Sequence, residues 1–209
     1  MAKVFFLYDK NSLFLKDQMR ESDQNMYYYF DNVEELFLCL FENHCDLLVI
    51  YNLQLKDQKN ISKELMCIFE LIPSLSIGDC TLSIYQLINE ELEKQLFLEK
   101  KNISTRLLLI EKSTSADTAK ELISIFCNQF FTNIQQLQQH LLNLDQANLK
   151  FLAHNLKSSS ANIGALRLPI YFSLLEGING FESDFYIKLL ISIALGEYRK
   201  VIEIVNIIL

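Results

Sequence analysis

Apolar residues are arranged in two different ways along this chain, and the change comes near its middle. Before residue 85 they fall in short unbroken runs: KVFFLY at 3–8, MYYYF at 26–30 and DLLVIYNL at 46–53. From Thr114 onward they recur at every third or fourth position. Unbroken apolar runs of this length suit strands buried on both faces of a parallel sheet. The later spacing is the period of an amphipathic helix. A single fold class cannot satisfy both patterns, so the chain is expected to hold an α/β part followed by an all-α part.

In the first part, helical patterns separate the strand candidates. NSLFLKDQMRES places Leu13, Leu15 and Met19 among polar residues, and DNVEELFLCLFEN puts Val33, Leu36, Phe37 and Leu40 on one face. Asp31 is a candidate N-cap for the latter, with Glu34 completing a capping box. A further helix is expected over Ser62–Leu71, and a strand over IPSLSI. Alternating β and α segments with short connections predict a small doubly wound sheet over residues 1–95. Residues 96–114 are charged and helical in pattern and read as a connecting helix.

Residues 115–209 then predict four amphipathic helices with short loops, an up-down four-helix bundle. The first is capped by Ser115 or Asp117, and its stripe is Ile123, Phe126, Cys127, Phe130, Ile134, Leu137 and Leu141. The second covers Gln146 to about Asn162, and the third runs from near Leu166 to Glu176. After the break at GINGF, the fourth runs from Glu182 toward the C-terminus, with a bend expected at Gly196.

Composition narrows the function. Half of the 209 residues are apolar and the net charge is −7, with no block of Lys or Arg, which argues against a nucleic-acid partner. The run LLISIAL falls short of the roughly 18 residues that span a bilayer. MAKVFFLYDK is broken too early by Asp9 and Lys10 to be a secretory signal. The five cysteines are dispersed and odd in number, which suits reduced thiols in a cytoplasmic protein. Cys39, His44 and Cys45 lack a fourth ligand at sensible spacing, so no metal site is expected. Neither GxxxxGK[ST] nor GxGxxG occurs, so no nucleotide-binding loop is expected.

FLAHNLKSSSANIGALRLP, residues 151–169, holds the chemistry. At 3.6 residues per turn, Leu149, Leu152, Ala153, Leu156 and Ile163 fall on one side, toward the bundle core. His154 falls on the other side, with Lys150 at i−4, Lys157 at i+3 and Ser158 at i+4. Ala147 and Ala161 continue that side, and Phe151 flanks it. The result is an exposed imidazole with two cations in reach, on a flat surface where another protein can lie.

The stretch AHNLKSSSANIGALRL resembles the signature of histidine-containing phosphotransfer (HPt) domains, with His154, Leu156, Lys157, Ser159, Ser160, Gly164 and Ala165 in the matching places. Leu175-Glu176 stands where that family often has Leu-Glu or Leu-Gln. The family glycine after the lysine is Ser158 here, a small residue that adds some bulk at the docking point. The resemblance implies that His154 accepts a phosphoryl group and that Lys157 neutralises its charge. It implies that Glu176 holds the ring tautomer, and that Lys150, Phe151, Ser158, Ala161 and Gly164 belong to the partner-binding surface.

The first half resembles a response-regulator receiver domain that has lost its chemistry. Tyr8-Asp9 stands where receivers keep an acidic pair, and Asn52 stands for the phospho-accepting aspartate, or Tyr51 in a register one residue shorter. SIYQLINEEL resembles the last receiver strand, with Gln86-Leu87 for its Lys-Pro. An amide cannot accept the phosphoryl group, and without the carboxylates Mg²⁺ loses its ligands.

Together the resemblances imply a phosphorelay intermediate, a phosphocarrier and not an enzyme. It would take a phosphoryl group from one receiver aspartate onto His154 and pass it to another. Its partners would be receiver domains or a hybrid histidine kinase, with no nucleic acid and no membrane, and a homodimer is left open. It would need no cofactor of its own, Mg²⁺ coming with the partner receiver. The alternative is a regulator that docks on a kinase or receiver and sequesters it without transfer.

Overall fold

The computed structural model describes residues 2–8, 25–43, 45–51, 72–77, 84–143, 145–179 and 183–208. These divide into two compact units, Met1–Gln95 and Leu96–Leu209.

Among its described residues, the first unit has four strands: β1 (Ala2–Tyr8), β2 (Asn25–Phe30), β3 (Leu47–Tyr51) and β4 (Ser74–Ile77). All pair in parallel in the order β2-β1-β3-β4, with Phe6 opposite Tyr29 on one side and Val49 on the other. Central β1 is apolar on both faces, and Val4, Phe5, Phe6 and Leu7 are all fully buried. Its alternating side chains serve the two faces: Phe5 meets Tyr28 and Phe30, whereas Phe6 meets Tyr27 and Tyr29.

Helix α1 (Val33–Glu42) buries Val33, Leu36, Phe37 and Leu40, as its spacing predicts. Its cap is Asn32 and not Asp31. Asn32 is the residue with extended backbone, and its Oδ1 accepts from Glu35 N at 2.8 Å. The Asp31 carboxylate accepts from the Asn32 side chain instead. The helices expected over residues 11–22 and Ser62–Leu71 lie outside the described residues, as do Asp9, His44 and Asn52.

The expected last strand, SIYQLINEEL, is corrected by the structure. Residues from Ile84 belong to α2 (Ile84–Ser113). Among the described side chains there, Ile88 is buried against Val4, Phe6, Leu47 and Val49, with Leu92 partly buried one turn on. Apolar residues four apart serve a helix, not a strand. Around them Gln86 bonds Glu90, and Glu91 bonds Lys94 and Gln95, at helical spacings. Gln86 is therefore an exposed helical residue and marks no strand end of a receiver-like site.

The second unit contains α3 (Ala116–Leu142), α4 (Gln146–Asn162), α5 (Leu168–Glu176) and α6 (Asp184–Ile208). Each packs on the next, and α6 packs back on α3, closing a four-helix ring. Ser115 caps α3, its Oγ accepting from Thr118 N, and Asp145 caps α4, accepting from Asn148 N. The third helix starts at Leu168, two residues later than expected, because residues 163–167 form the corner. The fourth runs as one helix through Gly196.

The core of this unit is aromatic at one level. Phe130 stacks on Tyr198 with centroids 3.6 Å apart, Phe172 meets Phe130 edge-on, and the Tyr198 hydroxyl donates to Cys127 O. The residues read as a connecting helix also belong here. From Leu96 onward α2 lies within this unit, with Ile103 and Leu107 buried, so among the described residues it is a fifth helix of the unit. Among the described residues, no helix is long and apolar enough to cross a membrane.

Candidate functional site

Helix α4 turns Leu149, Leu152, Ala153 and Leu156 into the core and leaves His154 on the opposite face, its side chain 57% exposed. From α5, Glu176 reaches back to it. His154 lies eight residues before the end of α4 and Glu176 eight residues after the start of α5, so the two meet across an antiparallel pair. His154 Nδ1 and Glu176 Oε1 are 2.8 Å apart. The other carboxylate oxygen, Oε2, accepts from Lys157 Nζ. One carboxylate therefore holds both the histidine and the lysine one turn along.

The Lys157 hydrogen bond, and after it the His154 one, holds the Glu176 carboxyl below the usual glutamate range. An ionised carboxylate only accepts, so the proton of neutral His154 sits on Nδ1, and Nε2 is left with its lone pair. The histidine is thereby arranged as an oriented nucleophile on an open surface.

The other expected surface residues divide. Phe151 is exposed, as are Ser158 and Ala161, and Lys150 is half-buried. Ser159 and Ser160 turn their hydroxyls to carbonyls of their own helix, and Ser160 is fully buried. Gly164 does not belong with this surface. It is buried at the corner between α4 and α5 with φ +87°, and an added Cβ would lie 2.7 Å from Arg106 Cβ. It is a packing glycine, placed where the chain turns in the left-handed region against α2.

Three side chains that the sequence pattern did not single out lie against the end of α4: Glu99, Asn102 and Arg106 on α2. Glu99 accepts from Leu166 N at 2.9 Å, Asn102 Nδ2 donates to Gly164 O, and Arg106 Nε donates to Asn162 O at 3.2 Å. The available signal was their i, i+3, i+7 spacing beside Ile103 and Leu107, which marks a polar edge along a buried stripe. Burial pushes the Glu99 carboxyl up to about 6 against the opposing bond from Leu166, with Glu197 adding to the rise. Among the described residues, no group of three or more His, Cys, Asp or Glu side chains is placed to hold a metal.

Residues 121–169 match the family model of the Hpt domain. The chain carries an Hpt domain in this stretch. The match holds the whole of α4 with His154 and Lys157, and it ends before Glu176. Neither a curated protein nor a solved structure matches the chain. Hpt domains are phosphocarriers that interact with receiver domains and histidine kinases, and this one gives the chain a general role in two-component phosphorelay.

Proposed function

We propose that the protein is a phosphorelay intermediate that carries a phosphoryl group on His154 between receiver-domain aspartates. The observation that carries this reading is the shared carboxylate: Glu176 accepts from His154 Nδ1 and from Lys157 Nζ on the exposed face of the Hpt helix.

In this mechanism a phospho-aspartate of the partner docks over α4. Nε2 of His154 attacks phosphorus, the P–O bond to the aspartyl carboxylate breaks, and that carboxylate leaves with the bonding pair. The Nδ1 proton stays in place, so the ring gains positive charge as the N–P bond forms. Glu176 faces that charge at Nδ1, much as a buried carboxylate supports the imidazolium of a catalytic triad. Lys157 on the following turn and Lys150 on the preceding turn of the same helix would supply positive charge for the phosphoryl oxygens. Transfer of this kind rests mostly on positioning and on charge neutralisation. A second receiver aspartate reverses the step. One carboxylate already engaged by a lysine and a histidine does not make a divalent-cation site. Mg²⁺ would therefore belong to the partner receiver.

The N-terminal sheet fits a supporting part in this proposal. Its strand order is that of the first four strands of the doubly wound 2-1-3-4-5 arrangement. Tyr8 and Tyr51 pair at the ends of β1 and β3, where a working receiver would lead into its acidic residues. We read it as a receiver-like domain without phosphoryl chemistry.

The test is transfer itself. A phosphorylated receiver carrying radiolabel is mixed with the protein and Mg²⁺. Acid-labile, base-stable label that disappears in His154→Gln supports the carrier. Binding to the receiver without label would leave a sequestering regulator in its place.

A further inference from the structure

The reach of Glu176 to His154 depends on the register between α4 and α5. Each residue stands about 12 Å along its helix from the corner at 163–167, at 1.5 Å per residue. A slip of one residue at that corner would move Glu176 by about 1.5 Å and turn it by about 100°. What fixes the corner therefore fixes the site.

The corner is held from outside the four-helix ring. Three side chains of α2 bond to the backbone at three alternate positions, the last residue of α4 and two of the corner: Arg106 to Asn162, Asn102 to Gly164 and Glu99 to Leu166. The Asn162 carbonyl is among the last four of α4, which have no partner within their own helix. Gly164 permits the approach, since Arg106 Cβ, Asn102 O and Ile103 Cα leave no room for a side chain. Ile103 and Leu107 are buried on the same stripe and keep α2 in place.

We propose that Glu99, Asn102 and Arg106 are positioning residues for the phosphoryl-accepting centre. By clasping residues 162–166, α2 sets the register in which Glu176 holds His154 Nδ1. None of the three touches the imidazole. They act through the corner, and the consequence is read at the histidine ring. The inference rests on the reading of His154 as the phosphoryl acceptor.

The test uses the full chain with Arg106→Ala, Asn102→Asp and Arg106→Lys. The Arg106 bond is exposed, so Arg106→Ala leaves the bundle folded, and helical circular dichroism checks this. Asn102→Asp keeps the size of the side chain and replaces the donor with a second acceptor facing the Gly164 carbonyl. Two quantities are read. Imidazole ¹⁵N spectra give the share of His154 in the Nδ1–H form, and label transfer from a phosphorylated receiver gives the rate.

The clasp predicts that Arg106→Ala and Asn102→Asp lower the Nδ1–H share and slow transfer by about tenfold to a hundredfold, the scale of a 1 Å misplacement. Arg106→Lys, which keeps a donor, restores both in large part. Folded variants with wild-type ring spectra and rates would overturn the clasp. If the wild type takes no label, the carrier reading fails. The ring spectra then still decide the clasp, because they need no phosphoryl donor.

Discussion

His154 Nδ1 and Glu176 Oε1 lie 2.8 Å apart on neighbouring helices, and Lys157 occupies the other oxygen of the same carboxylate. The histidine is thus tied to a lysine through a shared partner. Replacing Glu176 with Gln keeps an acceptor for Nδ1 but removes the charge that faces the ring as N–P forms. Transfer to Glu176→Gln is expected to be slower by one to two orders of magnitude, roughly what a charge-assisted bond is worth over a neutral one. Receiver binding should be unchanged. Single-turnover transfer and a binding titration separate the two.

The same pair has a pH signature. Lys157 first, and His154 second, hold the Glu176 carboxyl low. A depressed carboxyl adds stability above its unfolded titration range, and that contribution is lost as pH falls through the lowered folded value. The carboxylate carbon of Glu176, followed by NMR, should therefore titrate below the ordinary glutamate range. In Lys157→Ala its midpoint should rise toward that range. Equal midpoints in both proteins would contradict the shared bond.

Glu99 behaves in the opposite sense. Burial raises its carboxyl to about 6. The folded state then holds a proton that the unfolded chain releases near pH 4.5, so this contribution is full below that pH and fades as pH rises through 6. Gln keeps the acceptor for Leu166 N without the buried charge. Glu99→Gln should stabilise the protein at pH 7.5 by about 1–2 kcal/mol and leave it little changed at pH 4.5. Chemical denaturation at the two pH values checks the sign.

Gly164→Ala meets two costs at once. Its φ of +87° disfavours any side chain, and the new methyl carbon would lie 2.7 Å from Arg106 Cβ. A loss of about 1–3 kcal/mol is expected for the backbone alone. The contact with α2 adds to it, so denaturation should show a loss at the upper end of that range or beyond. A neutral result would mean that the corner is not held against α2.

Tyr198 reports on the aromatic level of the bundle. Burial, and after it Cys127, pushes its phenol up to about 12. The unfolded chain ionises this group near 10, so stability from Tyr198 is complete below pH 10 and is lost between 10 and 12. Phenolate absorbance should show a late phase near pH 12 that is missing in Tyr198→Phe.

Much of this was legible in the residues because local period and buried face agree. The stripe on α3 and the His154 helix with its core side follow from spacing three and four. The run of residues 47–51 is a strand because every described side chain in it is buried. The errors fall where tertiary contacts decide. Ile88 and Leu92 carry too few apolar neighbours to separate strand from helix, and the choice rests on their packing against β1 and β3. The role of Gly164 depends on α2, sixty residues away in sequence, which no periodicity reports. The α2 clasp was hidden for the same reason: Glu99, Asn102 and Arg106 look like any solvated helix edge until their backbone partners are known.

The central claim is that His154 carries the phosphoryl group on Nε2, the nitrogen that Glu176 leaves open. The measurement is the isomer of phosphohistidine formed after transfer from a phosphorylated receiver, mapped by fragmentation mass spectrometry and resolved by ³¹P–¹H correlation. The account predicts a single phosphorylated residue, His154, with phosphorus bonded to Nε2. Phosphorus on Nδ1, or on any other residue, would contradict it.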